Sequence, residues 1–308
     1  MTTFRPGTVL VAGSANLDFV VRAPHVPAPG ETVLGRHFTT FPGGKGANQA
    51  VACSRAGAVA TRMLLALGDD PNAAPLEASL RQAGVELYIV RSEQPTGVAF
   101  VCLSDTAENA ITVAPGANLV LQPHHLPSLS GVSHLLMQLE SPQASVEAWA
   151  RAARDAGVAT VLNAAPAHAL PRELLDLIDI LIVNESELAQ LTGIPTMDEA
   201  LAALDNPCVV VTLGARGSRA RAYGERIDQP AYAIEPIDTT GAGDTFCGTL
   251  VAALCEGLPF AMALQRASAA SALACTRLGA QAGIPRRDEV DAFLANSNTS
   301  SPRPSSPL

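Results

Sequence analysis

A chain of 308 residues is long enough for one large domain or two smaller ones, and 48% hydrophobic with 16% charged residues suits an α/β enzyme better than a fibrous or disordered chain. A formal net charge of −9 with no Lys/Arg cluster argues against a nucleic-acid surface. No run is apolar for long enough to span a membrane and the first residues do not read as a leader, so the expected location is the cytoplasm. Cys53, Cys102, Cys208, Cys247, Cys255 and Cys275 form no CxxC pair and lie mostly in apolar runs, which reads as reduced core thiols and not as a disulfide framework or zinc site. His124 and His125, adjacent and flanked by prolines, read as surface residues.

In chain order, Val9 to Ala12 is a short apolar run ended by Gly13-Ser14, as expected of a buried parallel strand feeding a loop. Asn16 and Asp18 follow, two apart, so an amide and a carboxylate can point the same way and bind hydroxyl groups, although Asp18 alone could be a solvated turn residue. A Pro/Gly turn from Pro24 to Gly30 then closes a hairpin excursion that extends to Thr40. The run Phe41-Pro42-Gly43-Gly44-Lys45-Gly46-Ala47-Asn48 places three glycines before a helix reaching about Arg55. It is not a Walker A loop, because its Lys stands between glycines without the following Ser/Thr, yet Lys45 and Asn48 at close-approach positions could hold a polyhydroxy substrate.

Residues 61–90 read as strand, helix, strand. Thr96 to Leu103 and Ala110 to Ala114 form a second hairpin, expected to join the first in a small separate sheet. Beyond Asn118 the alternation becomes regular. Strands at about 134–139, 158–163, 180–184 and 208–213 are separated by helices near 143–156, 171–177, 185–192 and 197–204. That pattern gives a parallel sheet with crossover helices, whose functional groups collect at the strands' C-terminal ends, where Gln138, Glu140, Asn163, Asn184, Glu187 and Thr212 to Gly217 stand. Leu264 to Thr276 is a further helix and Arg277 to Gly283 a loop. The Ser- and Pro-containing residues 296–308 read as a disordered tail after a single domain ending near 295.

The stretch Ile237-Asp238-Thr239-Thr240-Gly241-Ala242-Gly243-Asp244-Thr245-Phe246 reads as a turn opening a helix, with outward N–H groups at Gly241, Ala242 and Gly243. With the positive end of the helix dipole they suit an anion such as a transferring phosphoryl group. A carboxylate beside such a site repels its ligand unless it accepts a proton from an attacking hydroxyl, so Asp244 is either that base or a plain helix cap.

Taken together, GSANLD from Gly13, FPGGKGANQA from Phe41, LLMQLESP from Leu135, NAAPA from Asn163, VNESE from Val183, TLGARG from Thr212, DTTGAGDTF from Asp238 and RLGAQ from Arg277 resemble the ribokinase-like carbohydrate kinases across about Val9 to Leu294. The resemblance implies an α/β kinase domain with a doubly wound, mostly parallel sheet flanked by helices, a small β lid at about 16–40 and 96–115, and ATP-dependent phosphorylation of D-ribose at O5. By resemblance Asp244 is the base, and the N–H groups of Gly241, Ala242 and Gly243 stabilise the phosphoryl group. Asn16, Asp18, Gly44, Lys45, Gly46, Asn48 and Glu140 match positions that hold the sugar. Asn184, Thr212, Gly214, Gly217, Gly243 and Ser268 match positions along ATP, and Glu187 matches an Asn-x-x-Glu element associated indirectly with Mg²⁺. An activating K⁺ is implied at Asp238, Thr240, Ala274, Arg277, Gly279 and Gly283.

Departures from the pattern are Ala107 in the lid turn, Asn72-Ala73-Ala74 after Asp69-Asp70, and Ala164 after Asn163; none removes a catalytic group. Another pentose, a fructose-like sugar or a nucleoside remains an alternative acceptor, and a non-catalytic sugar-binding relative is the reading from another class. A nucleoside would need stacking surface, and only 4% of the chain is aromatic. No GxGxxG follows the first strand, against a Rossmann dehydrogenase. Two copies of the small sheet, each with exposed edges, are expected to cover one another in a homodimer.

Overall fold

Short runs with apolar side chains on both faces, such as Val9–Ala12 and Cys208–Val211, can be buried only in a sheet covered by helices on each side. That is how the chain uses them. The computed structural model describes residues 7–106 and 109–299. After β1 (Thr8–Ala12) the chain leaves the main sheet for the hairpin of β2 (Asn16–Ala23) and β3 (His37–Gly43). It returns through α1 (Lys45–Arg55), β4 (Thr61–Gly68), α2 (Ala73–Gln82) and β5 (Glu86–Ser92), then makes the second hairpin, β6 (Gly97–Ser104) and β7 (Asn109–Ala114). The regular alternation follows as β8 (Val132–Gln138), α3 (Gln143–Asp155), β9 (Ala159–Asn163), α4 (Arg172–Leu175), β10 (Ile180–Asn184), α5 (Glu185–Thr192), α6 (Met197–Ala202) and β11 (Cys208–Thr212). The last elements are β12 (Ser218–Ala222), β13 (Glu225–Gln229), α7 (Ala242–Cys255), α8 (Phe260–Cys275) and α9 (Arg287–Thr299).

Among the described residues the main sheet has nine strands in the order β13-β12-β11-β10-β9-β8-β1-β4-β5, and the small sheet has four, β3-β2-β6-β7. The two early hairpins join through a parallel pairing of β2 with β6, with Phe19 opposite Phe100. Alternate residues of each main strand feed two separate cores. Val9, Val11 and Val210 pack with α1, α7 and α8 on one face, while Leu10, Ala12 and Val209 pack with the fully buried Trp149 of α3 on the other. Sequential strands run outward from β1 in one direction through β4 and β5, and from β8 in the other through β11, so the order reverses between β1 and β8. A crevice at the C-terminal ends of those two strands is the consequence.

Three expectations are corrected or bounded. Beyond β11 the sheet continues in antiparallel strands, because Ser218 to Gln229 alternates about a turn at Tyr223 and Gly224, both with positive φ. Residues 296–299 are not a disordered tail. They complete α9, which is anchored by Phe293 and Leu294 against the core and tied by the Ser297 hydroxyl to the Phe293 carbonyl at 2.8 Å. Residues 300–308, and Ala107 in the lid turn, lie outside the described residues. No helix among the described residues is long and apolar enough to cross a membrane.

Candidate active site

The crevice at the β1/β8 switch is built by pressing one loop onto another. Gly44 opens α1 with φ +88°, and a Cβ there would stand 2.6 Å from the Asn16 nitrogen, so only glycine lets the helix start this close to the loop after β1. The Ala47 N–H donates to the Ser14 carbonyl at 2.9 Å and the Gly46 N–H to the Ser14 hydroxyl at 3.3 Å. Ser14 in turn donates to Glu140, which also accepts from the Lys45 N–H at 3.3 Å. Asn118 supports the same loop, its Nδ2 donating to Asn16 Oδ1 at 2.8 Å while its Oδ1 accepts from the Ala15 N–H at 3.0 Å. Asp18 lies against Gly43, where a Cβ would sit 2.3 Å from its carboxylate. Burial first, then the charges of Glu140 and Asp244, push the Asp18 carboxyl up to about 7. Burial alone would pull the Lys45 ammonium down, but Asp244, Glu140 and Glu187 together hold it above its ordinary value. Lys45 is the only lysine in the sequence and makes no ion pair among the described residues.

At the opposite wall α7 begins with Gly241 in the left-handed region, φ +73°. The Ala242 N–H donates to the Thr239 carbonyl at 3.2 Å, so it is not free as expected. Among the described residues the N–H groups of Gly241, Gly243 and Asp244 have no hydrogen-bond partner, and nothing stands within 4 Å of the place a Cβ on Gly243 would take. Open donors at a helix N-terminus with space before them suit an anion. Asp244 does not cap its own helix. Its Oδ2 accepts from Asn48 Nδ2 and its Oδ1 from Gln49 Nε2, each at 2.9 Å, so α1 holds the carboxylate that α7 presents.

A cavity of about 170 Å³ opens beside the α7 turn, lined among others by Lys45, Asn163, Asn184, Glu187, Thr212, Gly241, Gly243, Asp244 and Cys247, whereas Asn16, Asp18, Gly44, Gly46, Asn48 and Glu140 are not in its lining. Gly214, Gly217 and Ser268 do not line it. The two glycines belong to the turn between β11 and β12, and Ser268 is buried within α8. Asn184 and Glu187 form a capping box at the start of α5: Asn184 Oδ1 accepts from the Glu187 N–H at 2.8 Å, and Glu187 Oε2 from the Asn184 N–H at 2.7 Å. The other Glu187 oxygen makes no hydrogen bond among the described residues, and burial raises this carboxyl.

The residues singled out for a monovalent cation converge beside α7. Asp238 accepts from the Thr240 N–H at 2.9 Å and from the Gly279 N–H at 2.8 Å, bonds that outweigh its burial and hold its carboxyl low. The carbonyl oxygens of Gly279, Ala274 and Arg277 lie 2.9, 3.0 and 3.5 Å from where a Cβ on Gly283 would stand. The Arg277 guanidinium turns away to Glu289 and leaves only its carbonyl in this cradle.

Sequence reasoning missed Ser14, Gln49 and Asn118 as site residues. Ser14 and Gln49 sit inside motif runs that were noted for other residues, and Asn118 ends the turn after the lid; only contacts across 102 to 195 residues give them work.

The pfkB family carbohydrate kinase model matches residues 7–287. A ribokinase of Haemophilus influenzae is 38% identical over 302 residues, covering 93% of this chain and 98% of its own, and one of Bacillus subtilis is 36% identical over 93% and 99%. Among solved structures, Arabidopsis thaliana ribokinase complexed with ribose and ATP superposes with a TM-score of 0.85 at 33% identity, covering 94% of this chain and 98% of that one. With 281 of 308 positions inside the family model and relatives matched nearly end to end, the chain belongs to the pfkB family of carbohydrate kinases.

Proposed function

We propose that the chain transfers the γ-phosphoryl group of ATP to the 5-hydroxyl of D-ribose, giving ribose 5-phosphate and ADP. The observation that carries this is the meeting in one cavity of a buried, doubly held Asp244 with the unpartnered N–H groups of Gly241, Gly243 and its own backbone. The relatives named ribokinase, and the plant relative whose structure holds ribose and ATP, supply the acceptor and donor.

Asp244 takes the proton of the 5-hydroxyl as that oxygen bonds to the γ-phosphorus, and the bond from phosphorus to the β,γ-bridging oxygen breaks to release ADP. The open amides meet the negative charge spread over the equatorial oxygens, in a site that needs no reorganisation. Asn16, Asp18, Gly44, Lys45, Gly46, Asn48 and Glu140 bind the sugar. Asn16, Asp18 and Glu140 are acceptors and amides held by Asn118, Gly43 and Ser14, so the hydroxyl groups meet fixed partners. Asn184 and Thr212 bind the nucleotide from their places on the cavity wall; Gly214, Gly217 and Ser268, outside it, are assigned to the more distant part of ATP by family resemblance alone.

Glu187, whose second oxygen is uncommitted among the described residues, is the carboxylate that would help hold magnesium with the nucleotide, and the ion would supply neutralisation of phosphate charge. The carbonyls of Ala274, Arg277 and Gly279 with Asp238 and Thr240 make an oxygen-only cradle that fits potassium, which would add positive charge beside the α7 turn. Partly exposed Phe38 and Phe100, stacked on Phe19 in the small sheet, support a homodimer formed through the lids. Six free cysteines fit a cytoplasmic location.

The test is ADP release from MgATP with ribose, deoxyribose, fructose and adenosine, each with and without potassium. Highest kcat/KM for ribose, raised by potassium, supports the sugar and cation assignments together. A different best acceptor leaves the chemistry and refutes the sugar, and no turnover with any of them refutes catalysis.

A further inference from the structure

Behind Asp244 lies a chain of buried amides that the reaction as written does not use. Gln49 of α1 is fully buried, and its Nε2 lies 2.9 Å from both Asp244 Oδ1 and Asn163 Oδ1. Its Oε1 accepts from Nε2 of Gln138, also fully buried, at 2.6 Å. Asn163 Nδ2 donates in turn to the Ile182 carbonyl at 3.2 Å. Side chains of α1, β8, β9 and α7, with a main-chain carbonyl of β10, thus form one connected unit.

The direction of that unit is fixed by its ends. A main-chain carbonyl only accepts, so Asn163 must present Nδ2 to Ile182 and Oδ1 to Gln49. A carboxylate also only accepts. Gln49 therefore faces two acceptors with its Nε2, and its Oε1 is left to meet the Gln138 donor. Turned over, the Gln49 amide would set its oxygen against both Asn163 Oδ1 and Asp244, and its nitrogen against the Gln138 nitrogen. Gln138, whose Oε1 has no hydrogen-bond partner among the described residues, could turn with it, but the two contacts to Asn163 and Asp244 would stay repulsive with no water to relieve them. One orientation survives.

We infer that Gln49 is a positioning residue for the catalytic carboxylate, that Asn163 fixes which way its amide points and that Gln138 supports its oxygen; this rests on Asp244 being the base. A carboxylate has about four lone-pair sites, and the Gln49 and Asn48 donors fill one on each oxygen. Those two donors set the plane of the carboxylate and leave its remaining lone pairs for the sugar hydroxyl. Neutral amides suit this work because a cation bound directly to the base would lower its affinity for the proton it must take. Satisfying a buried Gln needs no such arrangement, since main-chain groups would do it equally well. Here the one Nε2 is spent on the reacting carboxylate and on the residue that orients it.

The experiment uses the full-length chain with MgATP and ribose. Gln49→Met removes the donor at nearly constant volume, and the expected result is a loss of about 10- to 100-fold in kcat with both KM values within about twofold. In an Asp244→Asn background the same change should alter the residual kcat by less than about twofold, because the group it positions is gone. Gln138→Met removes the donor to Gln49 Oε1 while Asp244 and Asn163 still engage Nε2, so it should give a smaller loss of the same kind, about threefold to tenfold. A Gln49→Met protein that binds ATP normally and keeps kcat within about twofold of the parent overturns the inference, as does an equal loss in both backgrounds. Should Gln49→Met not fold, Gln138→Met decides by the same two comparisons. Wild-type turnover by Asp244→Asn would instead refute the base, a separate result read from the single variant.

Discussion

The two sheets of this chain are built from similar strands and finished differently. In the nine-stranded sheet both faces are covered by helices, and the side chains of β1, β8 and β11 are almost wholly buried. In the four-stranded sheet Phe38, Phe100, Ile111 and Val113 remain 42% to 64% exposed, although the strands are as long as those of the main sheet. The main sheet is complete within the chain and fixes the α7 turn and Asp244 in place. The small sheet carries Asn16 and Asp18 to the crevice and leaves apolar area for a ligand, a moving neighbour or a second copy to cover. One region is thus packed on both faces and the other leaves an apolar face uncovered.

Substitutions separate the two regions most sharply in stability. Trp149→Ala empties the centre of one main-sheet core, and chemical denaturation should show a loss of about 3–5 kcal/mol; a loss below about 1 kcal/mol would mean that this core is not the one that holds the fold. Asp18→Asn should have the opposite sign. The carboxyl is raised from 3.8 to about 7 in the folded chain, so its contribution to stability is full below about pH 4 and lost as the pH rises to about 7. Above that the parent carries a penalty of the order of 4 kcal/mol that the variant lacks. Denaturation at pH 5 and pH 8 should show Asp18→Asn gaining on the parent with rising pH, while ribose affinity falls. An unchanged difference between the two pH values would show that Asp18 does not titrate in that range.

Smaller effects test where the regions meet. Phe41 of β3 stands near Gly279, so the loop proposed for potassium borders the small sheet. Gly283→Ala puts a methyl group among three carbonyls at a stability cost of about 1 kcal/mol, and it should abolish activation by potassium while leaving the potassium-free rate. Activation that persists would remove the cation from this cradle. The double change Phe38→Ser and Phe100→Ser should move stability by no more than about 0.5 kcal/mol per site yet shift sedimentation from dimer to monomer. A dimer that survives does not form through these rings.

Much of this was readable from the residues because it is local. Val9–Ala12 and Cys208–Thr212 announce buried strands, the glycines at 43–46 announce a close approach, and Gly241 to Asp244 announce an open helix start. The β12/β13 hairpin leaves only a weak signal, because its turn at Tyr223-Gly224 joins Ser218–Ala222 to the largely polar Glu225–Gln229, which lacks an apolar run. The extent of α9 was hidden because Asn296 and Ser297 have tail-like composition and are held by the apolar turn before them. What local reading could not reach is the grip on the carboxylate. Asn48 and Gln49 are 196 and 195 positions from Asp244, and nothing in either neighbourhood tells a sugar-binding amide from one that holds a base. Asn184 and Glu187 show the converse. Resemblance implied metal chemistry, and the geometry adds a capping box that explains the same pair without it.

The most direct test of the central claim compares D-ribose with 5-deoxyribose in single-turnover reactions with MgATP, following ADP and the position of the new phosphate. Transfer to O5 by Asp244 predicts one ribose 5-phosphate per ADP, no sugar phosphate from 5-deoxyribose, and a loss of about 10²- to 10⁴-fold for Asp244→Asn with ribose. Phosphate found on another hydroxyl, or comparable turnover of 5-deoxyribose, would contradict it.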